Sequence, residues 1–227
     1  MCGIEIDARF GRIGFAGRVC RWNNCTWLTG VRKASCGMTT VGTATFEWIR
    51  YWYLAYWSKP VAERVIYRWL WRHPCRLIVE VGVGDGRRAE RVLRWLARGG
   101  RRVRYAGIDL FELNSDAPPE CSLKNVYRRL ARWASSVRLV PGTPAEAIPR
   151  VANDLMGTDL LIFNCDVQHD AFQAAWLYVP RMLTDQSLVL ALSRPSGDRL
   201  PVEYRKLEVA TIRQWAERRV RPVRRAA

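Results

Sequence analysis

The sequence predicts an α/β domain with a doubly wound, mostly parallel sheet. Two observations support this fold class. Between Arg76 and Ser193, short apolar runs alternate with longer stretches whose apolar residues recur at helical spacing. The short runs are apolar throughout, which is typical of parallel strands buried on both faces. A length of 227 residues and a hydrophobic content of 49% fit one such domain with appendages.

Composition excludes several other classes. The chain has no uninterrupted apolar run of about 18 residues, so no transmembrane helix is expected. Glu5, Asp7, Arg9 and Arg12 lie where a signal peptide needs its apolar stretch, which favours a cytoplasmic protein. The net charge is +16, yet residues 76–193 contribute only +3 of it. All but four of the 37 basic residues are arginines. We therefore interpret the charge as composition and appendages rather than as a nucleic-acid signature.

Residues 1–37 hold four of the seven cysteines and show no helical or strand periodicity. We interpret them as a disordered leader, or as a stretch translated upstream of a true start at Met38. No C-x-x-C pair occurs, and only His73 and His169 could supply imidazole. The sequence therefore predicts reduced thiols and no metal site.

Residues 38–75 are predicted to form an aromatic helical lid. The first helix, within 44–57, places five large residues on one face, and Ser58-Lys59-Pro60 separates it from a second helix that ends near His73. The simplest interpretation is a lid packed on the main domain. A substrate-pocket wall, a homodimer face and a peripheral membrane contact are alternatives. The five residues are Ile49, Trp52, Tyr53, Tyr56 and Trp57.

The core, residues 76–193, follows in regular alternation. Strands are predicted at 77–81, 103–110, 137–140, 160–163 and 187–192, because each is a short apolar run. Helices are predicted at 87–98, with Gly99-Gly100 as the stop, and at about 119–134, 144–155 and 169–183. The second of these helices carries one apolar face, formed by Leu123, Val126, Tyr127, Leu130 and Trp133.

Residues 194–227 are predicted to be a basic C-terminal helix and tail. The stretch from Glu203 to Arg219 has the pattern of a helix rather than of a hairpin. The sheet would then be truncated at its C-terminal edge, to five or six strands.

A glycine-rich loop follows the first predicted strand. It reads Glu80-Val81-Gly82-Val83-Gly84-Asp85-Gly86 and leads directly into a helix. Glycines allow a sharp turn and a close approach of the backbone to a ligand. The dinucleotide pattern G-x-G-x-x-G would need glycine at position 87, which is Arg87.

This E-x-G-x-G-x-G spacing resembles the first motif of class I S-adenosylmethionine-dependent methyltransferases, which have a Rossmann-like fold. The resemblance implies S-adenosyl-L-methionine as cofactor. It implies that the loop, including Asp85, lines the methionine and sulfonium end, and that Glu80 helps to hold that end directly or through water. The three glycines are Gly82, Gly84 and Gly86.

The second strand ends in Asp109, 23 residues after Gly86. A carboxylate there can accept two hydrogen bonds from a ribose diol. In the methyltransferase resemblance Asp109 has this role, with Glu112 as the fallback. A turn or helix-cap carboxylate is the structural alternative.

After the third strand, Gly142-Thr143-Pro144-Ala145-Glu146 is similar to the G-[ST]-x-x-E stretch of a methyltransferase branch that contains small-molecule and glycan-modifying enzymes. In that branch the loop lies beside the adenine, so Gly142 and Thr143 become cofactor candidates. Thr143 is equally well placed as a helix N-cap, with Glu146 in a capping box.

The fourth strand leads into Asn164-Cys165-Asp166-Val167-Gln168-His169. The same branch has an Asp-rich, His-containing turn here, although Asn164 and Cys165 depart from it. Asp166 and His169 remain as the candidate catalytic pair, with His169 as a general base on a hydroxyl or amine. Capping of the next helix or exposure to solvent is the alternative for His169.

The resemblance covers about residues 60–193 and implies methyl transfer to an oxygen or nitrogen of a small molecule or glycan precursor. Two alternatives stay open: a nucleic-acid methyltransferase that uses basic surfaces, and a non-catalytic domain that kept the fold. The basic surfaces are a helical stripe, Arg87, Arg91, Arg94 and Arg98, and the arginine-rich tail.

Overall fold

The computed structural model describes residues 48–114, 116, 118–165, 167, 172, 174–193 and 203–220, without the side chains of 218–220. The leader predicted at 1–37 lies outside the described residues.

Six strands form one sheet in the order β3-β2-β1-β4-β5-β6. Neighbours from β3 to β5 pair in parallel, and β6 pairs with β5 antiparallel. The predicted doubly wound, mostly parallel sheet is therefore confirmed. The strands are β1 (Leu77–Val81), β2 (Arg104–Asp109), β3 (Ser136–Pro141), β4 (Thr158–Phe163), β5 (Leu183–Ser193) and β6 (Glu203–Leu207).

Helices cover both faces of the sheet. Residues 48–57, here called α1, are α-helical to residue 52 and end in the π-helical turn Tyr53–Trp57. Among the described residues, none of the helices has the length and apolar character that a membrane span requires. The others are α2 (Arg64–Arg72), α3 (Arg87–Arg98), α4 (Leu123–Leu130), α5 (Pro144–Val151), α6 (Val179–Met182) and α7 (Val209–Val220). Short 3₁₀ turns lie at Val61–Glu63, Phe111–Leu113, Pro119–Cys121 and Ala175–Leu177.

Alternate residues of the strands feed two hydrophobic cores, one on each side of the sheet. Val79 and Val81 of β1 belong to the core that α5, α6 and α7 cover. Ile78 belongs to the core covered by α2, α3 and α4. Burial on both faces explains why these strands are apolar throughout.

The strand order reverses between β1 and β4. The chain leaves β1 toward β2 and β3, then returns to place β4 on the other side of β1. Loops that follow β1 and β4 therefore diverge and leave a crevice at the carboxyl ends of the strands. In open α/β sheets this is where ligands bind.

The prediction of a helix from Glu203 to Arg219 is wrong in its first part. Residues 203–207 are the edge strand β6, and only Val209–Val220 is helical. Within β6 only Leu207 is buried, because the strand lies at the exposed edge of the sheet. It therefore lacks the apolar run by which a central strand is recognised.

The residues of α1 that are buried are not among the five that the helical spacing groups on one face. Tyr51 and Ala55 are buried, whereas four of the five predicted residues are exposed: Ile49 at 61%, Trp52 at 37%, Tyr53 at 57% and Trp57 at 69%. Tyr51 stacks on Trp71 of α2 with ring centroids 4.3 Å apart. With so many apolar residues on α1, its spacing alone does not identify the face that packs.

Two smaller differences concern helix bounds and one side chain. The predicted helix at 169–183 is, in its described part, the turn Ala175–Leu177 and the short α6, and β5 already begins at Leu183. In α4, Tyr127 is 48% exposed rather than packed inward.

Candidate functional site

The loop after β1 turns on three left-handed glycines. Their φ angles are +84° at Gly82, +60° at Gly84 and +73° at Gly86. Residues other than glycine rarely adopt this region of backbone conformation. An added Cβ at Gly82 would lie 3.2 Å from the Asn164 Cβ, and one at Gly86 would lie 3.2 Å from the Val126 Cγ1. At Gly84 an added Cβ meets no atom within 4 Å, so this glycine faces open space.

Asp109, at the end of β2, faces this loop. Its Oδ2 accepts a hydrogen bond from the Gly84 N–H at 2.7 Å, and its Oδ1 accepts one from the Leu110 N–H at 2.7 Å. A carboxylate oxygen has two acceptor positions, so each oxygen keeps one. The side chain is half-buried. Asp109 is therefore oriented by the backbone and still able to accept two further hydrogen bonds, as a ribose diol requires.

Asp85 lies just before Gly86, the N-cap of α3. Its Oδ1 accepts from the Arg87 N–H at 3.0 Å, and its Oδ2 is 2.9 Å from the Arg87 Nε. These bonds satisfy the start of the helix, where backbone N–H groups lack partners. The structure thus gives Asp85 a capping role, and its contact with a cofactor stays a prediction.

Glu80, on β1, is the centre of a buried polar network. Glu80 is only 1% exposed. Its Oε1 accepts hydrogen bonds from Arg88 Nη2 and, at 3.0 Å, from Asn164 Nδ2. Its Oε2 accepts from the Tyr105 hydroxyl at 2.9 Å. Charge pairing and three donors make the burial of this carboxylate tolerable. The Glu80 contact with the methionine end stays a prediction, for which one acceptor position on Oε2 remains.

Tyr204 of β6 completes this network. Its hydroxyl accepts from Arg88 Nη1 at 2.6 Å and donates to Asn164 Oδ1 at 2.5 Å. Burial raises the pKa of Tyr204 to about 12, although the Arg88 charge opposes this shift. Burial and the Glu80 carboxylate raise the pKa of Tyr105 as well. Both phenols are therefore neutral donors at physiological pH.

Asn164 connects the network to the glycine loop. Its Nδ2 also donates to the Gly82 carbonyl at 2.8 Å, and its backbone N–H donates to the Val81 carbonyl at 2.8 Å. The residue at which the sequence departs from the methyltransferase pattern thus has a positioning role, because it fixes the end of β4 against the loop.

The loop after β3 borders the same crevice. The Gly142 N–H donates to the Asp109 carbonyl at 2.9 Å, so this loop is fixed beside the candidate ribose site. Thr143 is the N-cap of α5, and the Glu146 carboxylate accepts from its N–H at 3.3 Å. The capping-box alternative for Thr143 is confirmed. A contact of Gly142 or Thr143 with a cofactor stays a prediction.

The two predicted catalytic residues, Asp166 and His169, lie outside the described residues. The structure brings the glycine loop and Asp109 together through the hydrogen bond of the Gly84 N–H. Sequence reasoning missed Arg88, Tyr105 and Tyr204, which come from α3, β2 and β6. Each is unremarkable in sequence, and only the pairing of distant elements brings it to Glu80. Among the described residues, no group of three or more His, Cys, Asp or Glu side chains is arranged to hold a metal.

The arginine stripe on α3 is partly engaged with carboxylates. The Glu63 carboxylate is almost fully buried, and both of its oxygens accept hydrogen bonds from Arg91. The Arg91 Nε lies 3.2 Å from the Glu63 Oε2. Arg87 is paired with Asp85. Arg91 therefore joins the turn before α2 to α3, and it is not free to contact phosphates.

Comparisons with known proteins gave matches only among solved structures; no protein-family model and no curated sequence matches the chain. One match is a TehB-like S-adenosylmethionine-dependent methyltransferase from Corynebacterium glutamicum, with 16% identity over 78% of this chain and 82% of that chain, and a TM-score of 0.43. A second is a methyltransferase from Thiobacillus denitrificans in complex with S-adenosyl-L-homocysteine, with 13% identity over 63% of this chain and 55% of that one, at 0.40.

A third match is the plantazolicin methyltransferase BpumL, with 11% identity over 66% of this chain and 51% of that one, at a TM-score of 0.40. The chain thus spans most of the first structure and about half of the other two. All three of these matched proteins are described as methyltransferases. At these identities the likeness concerns the Rossmann-like fold alone.

Proposed function

We propose that this chain is an S-adenosylmethionine-dependent methyltransferase that transfers a methyl group to an oxygen or nitrogen of a small molecule or glycan precursor. The observation that carries the proposal is the relationship between Gly84 and Asp109. The loop glycine holds the carboxylate through a 2.7 Å hydrogen bond and presents open space beside it. Such a pair offers a ribose diol two acceptors and offers the rest of the cofactor room to approach the backbone.

The residues present fit this cofactor. Asp109 would hold the ribose hydroxyls through its two remaining acceptor positions. Gly82, Gly84 and Gly86 would let the backbone approach the methionine portion, and the loop at Gly142 would border the adenine. Glu80 would hold the methionine end of the cofactor directly or through water. Its charge is already balanced by Arg88.

The cofactor, when bound, supplies a methyl group that its sulfonium centre has already activated. The chain then has to align the acceptor and exclude water, and this can supply much of the rate. For that alignment the polar network around Glu80 keeps the ends of β1 and β4 in fixed register. In our proposal His169 takes the proton from the methyl acceptor, and Asp166 orients the His169 imidazole.

Calorimetric titration with S-adenosylmethionine, S-adenosylhomocysteine and NAD tests the proposal. We expect binding of the first two but not of NAD, and at least a tenfold loss of affinity in Asp109→Ala. Asp154→Ala is the matched control, because its exposed carboxylate pairs with Arg138 and with no residue of the proposed site. Equal affinity in Asp109→Ala and the wild type would contradict the assigned ribose site, and preferential binding of NAD would contradict the cofactor.

A methyl-transfer assay with labelled cofactor separates an enzyme from a non-catalytic domain. The acceptors tested are pooled small phenols, amines and sugars, and, in separate reactions, RNA and DNA. We expect label in a small acceptor and a large fall in rate in His169→Gln at unchanged cofactor affinity. Cofactor binding with no transfer to any acceptor would favour the non-catalytic domain. Transfer to RNA or DNA alone would favour the nucleic-acid enzyme.

A further inference from the structure

A cationic cleft lies at the end of the sheet opposite the glycine loop. It has a volume of about 720 Å³ and is lined by α2, the amino-terminal part of β5, the end of β6 and the start of α7. We call it the α2–α7 cleft. Its position follows from the register: Asp185 to Leu188 precede the centre of β5, whereas the glycine loop follows the carboxyl end of β1. The cleft is thus separate from the proposed cofactor site.

Four lysine and arginine side chains line the cleft, and two of them are paired with carboxylates. Lys206 Nζ is 3.1 Å from a Glu208 carboxylate oxygen, and Arg213 Nη1 is 2.8 Å from an Asp185 carboxylate oxygen. The other two, Arg68 and Arg72, belong to α2.

Arg68 and Arg72 form no salt bridge within the described part of the chain. They lie four residues apart on one helix, so they repel each other by a few tenths of a kcal/mol. Both are exposed and both line the same cleft. Two guanidinium groups one helical turn apart suit a phosphate group, because each can donate two parallel hydrogen bonds.

Aromatic rings form the wall beside these arginines. Trp69 lines the cleft and stacks on His73, with ring centroids 4.9 Å apart and planes inclined by 17°. Tyr56 also lines it and stacks on Trp52 at 4.8 Å. Planar rings next to cationic groups favour a ligand that has both a flat ring and a negative charge. A volume of about 720 Å³ is that of a small-molecule site.

We propose that the α2–α7 cleft binds a nucleoside phosphate, with its phosphates on Arg68 and Arg72 and its base against the aromatic wall. This site does not depend on the proposed cofactor site. Its ligand differs from S-adenosylmethionine in carrying phosphate, which Arg68 and Arg72 would bind.

The test is a calorimetric titration with ADP in a Gly84→Val background, which removes the glycine loop as a competing site. We expect ADP to bind, and adenosine and pyrophosphate to bind at least tenfold more weakly, because each lacks one half of the ligand. Arg68→Gln/Arg72→Gln is expected to weaken ADP binding at least tenfold. Arg98→Gln/Arg102→Gln removes the same charge from exposed positions outside the cleft and is the matched control.

A further variant separates the ring from the charge. Tyr56→Ser is expected to weaken ADP binding several-fold and to leave pyrophosphate binding unchanged. Circular dichroism and the melting temperature establish that each variant is folded. The proposal is overturned if Gly84→Val with an otherwise unchanged cleft binds no ADP at millimolar concentration. It is also overturned if Arg68→Gln/Arg72→Gln and Arg98→Gln/Arg102→Gln bind ADP equally. Binding of an oligonucleotide but not of ADP would overturn it as well.

Discussion

The hydroxyl of Tyr204 donates a hydrogen bond to Oδ1 of Asn164 at 2.5 Å, across 40 positions of the sequence. Tyr204 lies in the antiparallel edge strand β6, and Asn164 directly follows β4, two strands away. Through Asn164 and Arg88 this single phenol reaches both the glycine loop and the buried Glu80. The edge strand is therefore part of the support of the proposed cofactor site.

Replacement of Tyr204 by Phe should destabilise the protein by about 1–2 kcal/mol, because it leaves Arg88 and Asn164 each without one hydrogen bond. Urea unfolding followed by circular dichroism measures this change. Tyr127→Phe is the control, since Tyr127 is 48% exposed. Equal stability of the two variants would contradict a supporting role for Tyr204.

Replacement of Glu80 by Gln should cost more, about 3 kcal/mol or above, because it leaves the Arg88 guanidinium buried without a counter-charge. Part of this loss should be recovered in Glu80→Gln/Arg88→Met, which removes the orphaned charge. A double-mutant cycle from urea unfolding gives the coupling free energy. A coupling near zero would show that the pair contributes nothing to stability.

Replacement of Glu63 by Gln should destabilise the protein by about 1–2 kcal/mol, because the Glu63 carboxylate is buried and both its oxygens bind Arg91. Asp154→Asn is the control: it removes an ion pair of 2.8 Å to Arg138 in which both side chains are exposed. That change should stay within about 0.5 kcal/mol. If both substitutions had the same effect in urea unfolding, the link between α2 and α3 would not depend on Glu63.

The stability of the fold should fall at alkaline pH. Burial raises the pKa of Tyr204 to about 12, whereas an unfolded tyrosine ionises near pH 10. The folded protein thus holds the proton more tightly. This contribution to stability is complete below about pH 10 and is lost as the pH rises toward about 12. Melting temperatures measured across this range should decline less steeply in Tyr204→Phe than in the wild type. Parallel declines would contradict the shift.

The sequence predicted the central part of the fold well because the signals there are local. Leu77–Val81 and Arg87–Arg98 have the predicted bounds, since an apolar run defines the first and glycines flank the second. The strand at 203–207 was missed because an exposed edge strand carries few apolar residues. The spacing along α1 does not identify its packing face, because nearly all of its residues are apolar.

The same distinction holds for the site. The glycines and Asp109 are recognisable from their spacing along two consecutive strands. Arg88, Tyr105 and Tyr204 are recognisable only in three dimensions, because they meet at Glu80 from separate elements. Side chains that support a site in this way leave no motif.

The most direct test of the proposed cofactor site is a calorimetric titration of three proteins with S-adenosylhomocysteine: the wild type, Gly84→Val and Gly100→Val. The two glycines have similar positive φ angles, +60° and +75°, and at both an added Cβ meets no atom within 4 Å. The two substitutions should therefore lower the melting temperature equally. We predict that the wild type and Gly100→Val bind the ligand and that Gly84→Val does not. Equal binding by the two variants, or no binding by the wild type at millimolar ligand, would contradict a cofactor site at the glycine loop.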